Sequence, residues 1–148
     1  MKHGNEFQDA LVRARSAADK LDEVTEAMNA VIIEAEKCIG DLRLGVPGWI
    51  EVLEENPEAP QYYTALTFRK EGKAWRLMIE SGGDDPDDAT RTPLASASRD
   101  LRVRALARLP LLVQDMIERT EKEAQDVEDK TELALKFIES LKGPGRRP

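Results

Sequence analysis

The chain has 148 residues, of which 34% are charged and 41% apolar, and its formal net charge is −7. Such a composition excludes disorder along the whole length and fits one strongly solvated domain, residues 1–148, with a lean core. The negative field disfavours nucleic acid and anionic membrane as general partners, and one cysteine excludes an intramolecular disulfide framework, so a reducing, cytoplasmic setting is expected.

Residues 5–42 carry a four-three apolar repeat through Phe7, Leu11, Ala14, Ala18, Leu21, Thr25, Met28, Ile32, Ala35, Ile39 and Leu42. That spacing predicts a long coiled-coil-like helix, capped by Asn5 and ended at Gly40 or shortly after Leu42, about 54 Å in length. A rod of this kind is not held by propensity alone and needs a partner along its seam.

Residues 46–80 change period. After Gly45, Pro47 and Gly48, the run 49–53 reads as an edge strand, followed by a Pro-bounded acidic turn ending at Pro60. Tyr62, Thr64, Leu66 and Phe68 then alternate on one face, Lys70-Glu71-Gly72-Lys73 supplies a turn, and Trp75, Leu77 and Ile79 continue the face on a return strand. A three-stranded antiparallel β-meander is predicted, with its apolar face needing a helix over it. Residues 81–93 read as an acidic loop. Its Asp84, Asp85, Asp87 and Asp88 are either solvated or a weak divalent-cation site, although the spacing matches no EF-hand loop.

Helical spacing returns over residues 94–142. Ser96 or Ser98 can cap a helix that turns Leu101, Ala105, Leu106 and Leu109 inward, and Pro110 is expected to kink or break it, because proline lacks the amide and crowds the preceding turn. A second seam then runs through Leu106, Val113, Ile117, Thr120, Ala124, Val127, Thr131, Ala134, Ile138 and Leu141 until Gly143-Pro144-Gly145 stops it, leaving 143–148 as a tail. Neither leader nor spanning segment is expected: no charged-then-apolar stretch follows Met1, and no apolar run approaches the roughly 18 residues a membrane helix needs.

The sum is an α+β fold in which two long antiparallel helices form a hairpin around the meander. Phe7 and Leu11 would meet Ile138 and Leu141, with Ala14 and Ala18 near Thr131 and Ala134. Opposite charge cannot pair the rods, since residues 5–42 hold nine acids against four basic residues and residues 111–142 nine against five. Val12, Val24, Val31 and Ile33 lie outside the strict repeat and widen the stripe, which suggests further helices packing on it, as in a dimeric four-helix bundle. The order of long helix, β-hairpin and long helix resembles, in architecture alone, the prefoldin-like layout of paired rods presenting a β-built platform; no motif is shared and no functional residue carries over.

Catalysis has little to use. The sole histidine is His3 and the sole cysteine Cys38, which is expected to be a buried small hydrophobe, so no Cys/His pair is anticipated. There is no phosphate-cradling glycine loop and no Glu-x-x-His companion for a di-metal core. An enzyme, a cofactor and a metal are therefore not expected. Residues 91–108 hold five arginines against Asp100 alone. Of these, Arg99, Arg102, Arg104 and Arg108 are candidate interaction residues, suited to acidic helices, carboxylates or phosphates. Tyr63, on the strand face opposite Phe68, is the candidate exposed aromatic. The expected function is a non-enzymatic protein-interaction or assembly module, binding a protein partner or itself as a homodimer; the alternative is a nucleic-acid-associated or regulatory module using residues 99–108.

Overall fold

The alternation of residues 63–79 builds the centre of the molecule. A computed structural model describes residues 2–53 and 62–143. In chain order these form α1 (Lys2–Asp41), β1 (Gly48–Glu51), β2 (Tyr63–Glu71), β3 (Ala74–Gly82), β4 (Thr90–Pro93) and α2 (Arg99–Lys142), with short 3-10 turns at Pro86–Asp88 and Leu94–Ser96. The acidic turn before Pro60 and the tail after Gly143 lie outside the described residues. The class is α+β, with two helices flanking one antiparallel sheet in the order β1-β2-β3-β4.

Four strands replace the expected three. Thr90–Pro93 pairs antiparallel with β3, Ser81 opposite Thr90 and Met78 opposite Pro93, where a loop was expected. Thr90 and Thr92 suit an extended backbone, and Pro93 is tolerated because β4 is an outer strand whose missing amide breaks no inner ladder. Between β2 and β3, Gly72 takes φ 62° at the first position of a two-residue turn, which an L side chain would resist.

Register sorts the side chains. Leu66 lies opposite Ile79 and Phe68 opposite Leu77, so these residues share the face beneath the helices, together with Trp75. Phe68 stacks on Trp75 with ring centroids 5.5 Å apart. Onto this face α1 delivers Ile32 and Ile39, with Met28 and Ala35 beside them, and α2 delivers Ala105, Leu112 and Met116. The first helix therefore uses the expected seam here. The second does so only in part: Ala105 is buried and Leu101, Leu106 and Leu109 pack half-buried against the core as expected, but beyond Pro110 the centre is taken by Leu112 and Met116, with the seam residues Val113 and Ile117 half-buried at the flank.

Both helices also guard sheet edges. Asp115 Oδ2 accepts from the Trp49 amide of the outer strand β1 at 3.0 Å, and Glu36 Oε2 accepts at 3.0 Å from the Leu77 amide, one residue beyond the stretch that β4 covers. Exposed strand amides are templates for unwanted pairing, and carboxylates from above occupy these two. At the start of α2, Ser98 Oγ accepts from the Leu101 amide at 3.3 Å, so Ser98 is the cap. The helix continues through Pro110 to Lys142 without ending near Arg108.

The hairpin is not made within the chain. Asn29 of α1 accepts a hydrogen bond from Arg102 Nη1 of α2, while Ile39 and Gly40 share a hollow with Met116. The two helices therefore cross the sheet in the same sense, and their unpacked parts leave the body at opposite ends. Every residue of 4–24 and of 121–142 is exposed. Phe7 is 67% and Leu141 65% accessible, so the contacts of Phe7 and Leu11 with Ile138 and Leu141 are absent, and with them the paired rods of a prefoldin-like layout. The physical reason is directional: the repeat records that a stripe must be covered, but both helices run the same way over one sheet face, which separates their free ends.

Candidate interaction site

Two projecting arms are the most prominent surface of the molecule. The α1 arm, residues 4–24, has Phe7, Leu11, Leu21 and Val24 among its exposed large apolar residues; the α2 arm, residues 121–142, has Val127, Leu135, Phe137 and Ile138. At 1.5 Å per residue each arm extends about 30 Å from the body. A monomeric protein seldom displays apolar stripes of this length without a use for them. Among the described residues no helix is long and apolar enough to cross a membrane.

The arginine stretch is divided by the fold. Arg91 lies on β4, away from the helix that carries the others. Arg102 is half-buried and turned to Asn29, whereas Arg104 is exposed and holds Asp100 at 3.0 Å, one turn earlier. Arg99 is exposed and Arg108 half-buried. What the structure brings together is thus one contact to α1 and one local ion pair.

Tyr63 is half-buried, and the more exposed aromatic is its neighbour Tyr62. The Tyr63 hydroxyl donates to Glu80 Oε2 at 3.0 Å. Glu80 was not singled out from the sequence, and it organises the sheet face turned away from the helices. It is 6% exposed. Trp49 Nε1 donates to Oε2 at 3.2 Å, Arg91 Nε donates to Oε1 at 2.7 Å, and Arg69 Nη1 approaches Oε1 at 3.6 Å. One carboxylate thereby ties β1, β2 and β4 to β3. Burial pushes its pKa up, but the hydrogen bonds from Tyr63, Arg91 and Trp49 and the charge of Arg91 outweigh that, so it lies below the ordinary 4.5. Burial and the same carboxylate hold the Tyr63 phenol above its ordinary 10.0. With each Glu80 oxygen occupied by donors from the chain itself, this cluster is built to hold strands. The signal that could have found it is parity: Trp49, Tyr63, Arg69, Glu80 and Arg91 all occupy positions pointing away from the helices.

Cys38 is exposed, where a buried position was expected, and its Sγ lies 3.6 Å from Glu34 Oε1. In the acidic loop, Asp85 caps its own turn: its Oδ1 accepts from the Asp87 amide and its carbonyl from the Asp88 amide, each at 3.0 Å. Among the described residues no group of three or more histidine, cysteine, aspartate or glutamate side chains is placed to hold a metal ion. Comparison with protein-family models, with curated proteins and with solved structures gives no match.

Proposed function

We propose that this protein is a non-enzymatic assembly module that presents two helical stripes for coiled-coil-like pairing with protein surfaces, in a reducing, cytoplasmic setting. The observation that carries this reading is the pair of arms in which every residue of 4–24 and 121–142 is exposed, so that a three-four apolar repeat packs against nothing else in the chain. Helices of this length are marginal in water, and in folded proteins most of their stability comes from packing an apolar face. A bend at Pro110 belongs to the same reading: without a proline amide, the Leu106 carbonyl loses its helical donor, which lets α2 bend within the part that packs on the sheet.

Light scattering coupled to size exclusion, with far-ultraviolet circular dichroism on the same samples, tests the reading. The expected result is either a mass above one chain with nearly full helicity, or one chain whose arms have lost helix for want of a partner. A one-chain mass across micromolar concentrations, with both arms fully helical, would show that the stripes need no cover and would overturn it.

A further inference from the structure

The two arms match each other in ways a general docking surface does not require. Counted in helix outward from the body, they run over residues 2–24 and 121–142, or 23 and 22 residues. The first half-buried residue of α1 is Thr25 and the last half-buried residue of the packed part of α2 is Thr120, so these two mark the roots. Laid antiparallel with root beside root, Thr25 faces Thr120, Ala14 faces Thr131 and Phe7 faces Ile138, and the three-four step stays in phase over the whole length. The roots are prepared for this in the same manner. Thr25 Oγ1 donates to the Leu21 carbonyl and Thr120 Oγ1 to the Met116 carbonyl, each at 2.7 Å, so each hydroxyl is already satisfied within its own helix and does not penalise burial of the methyl group beside it.

Within one chain these arms cannot meet, because they leave opposite ends of the body. A two-fold rotation brings them together. It reverses the second molecule, sets its α2 arm beside the first molecule's α1 arm in antiparallel sense, and does the same at the other end, so both stripes of both chains are covered and the assembly closes. The available area is adequate. A contact strip about 10 Å wide and 30 Å long on each of four arms gives roughly 1,200 Å², the lower bound for a stable specific interface, before the bodies add anything. Charge neither favours nor forbids it: flanking the seam in this register, Arg15 comes beside Glu128, but Asp22 comes beside Glu121.

We infer that the occupant of the arms is a second copy of this chain, bound by exchange of arms: α1 of each protomer pairs antiparallel with α2 of its partner. The inference rests on the assembly reading above and narrows it to one partner and one register.

Thiol cross-linking in a Cys38→Ser background tests it. Chains carrying Ala14→Cys and chains carrying Thr131→Cys, with different affinity tags, are mixed, refolded together and treated with a short bismaleimide. A covalent dimer containing both tags is expected, and it should be absent when either variant is treated alone. Leu11→Cys with Ala134→Cys repeats the experiment one layer outward, guarding against a local disturbance. A two-chain mass by light scattering with no such product, or with an Ala14→Cys homodimer instead, overturns arm exchange while leaving the assembly reading intact. A single chain carrying both cysteines that cross-links only to itself overturns it also. One-chain mass with melted arms removes the second copy as partner but spares assembly with another protein, whereas one-chain mass with helical arms removes both.

Discussion

Because the Glu80 carboxylate takes hydrogen bonds from Trp49, Tyr63 and Arg91, its negative charge matters more than its size. Glu80→Gln keeps the shape and one acceptor oxygen, but it removes the charge that faces Arg91 and sets an amide donor against a donor. Bonds to charged groups contribute about 1.5–3 kcal/mol each, so a loss of roughly that size is expected in urea denaturation at pH 7. The pH dependence follows from the direction of the shift. A folded-state pKa held below 4.5 means that the contribution is fully present above the unfolded value and is lost as pH falls through the folded one. Wild-type stability should therefore decline below about pH 4.5 more steeply than that of Glu80→Gln, and parallel acid limbs for the two proteins would refute the assignment. At the other end of the scale the raised Tyr63 pKa adds stability that is present below pH 10 and lost as pH rises past it.

At the scale of elements, the approach of α2 to the sheet turns on Gly48. A Cβ built there would lie 2.5 Å from Met116 Cγ and 2.9 Å from Leu112 Cδ1, so only glycine lets the helix sit this low on β1. Gly48→Val should cost about 1–3 kcal/mol by overpacking, seen as a lowered thermal midpoint, and an unchanged midpoint would mean that the helix can rise freely. The contact joins β1, expected as an edge strand, to α2, expected to break or kink at Pro110 and running through it to Lys142. Alternation at Leu66, Phe68, Leu77 and Ile79 marks the hairpin and its helix-facing side, although Ala65, Thr67, Met78 and Glu80 on the other side are buried too, and Ser98 marks a helix start by local chemistry alone. The fourth strand was not legible, since Thr90–Pro93 is short, follows four aspartates and ends in proline, and only pairing with β3 makes it extended. The Glu80 cluster was missed for a related reason. Charges on the face away from the helices look solvated until the register shows them converging on one carboxylate.

Over the whole molecule, the periodic stripe of α1 serves two ends that a repeat cannot distinguish, and one pair of substitutions separates them. Ile32 is 2% exposed on the body, so Ile32→Asp buries an unpaired charge, costs several kcal/mol and should unfold a domain whose total stability is of order 5–15 kcal/mol. Leu21 continues the same stripe on the arm, where a single chain leaves it 44% exposed. If nothing covers the arm, Leu21→Asp is a surface change and should shift stability by no more than about 0.5 kcal/mol. If a second copy covers it, the lost leucine burial is about 0.7–1.3 kcal/mol at each of two symmetric sites, or some one to two decades in dissociation constant before the cost of burying the aspartate is added. The expected outcome is that Leu21→Asp keeps the folded body, drops to one-chain mass at low micromolar concentration and loses the concentration dependence of its melting temperature. Leu133→Asp supplies the control: Leu133 is 64% exposed but lies off the seam, so it should leave the mass unchanged. Equal behaviour of the Leu21 and Leu133 variants would mean that hydrophobicity along the arms, and not the three-four stripe, governs association.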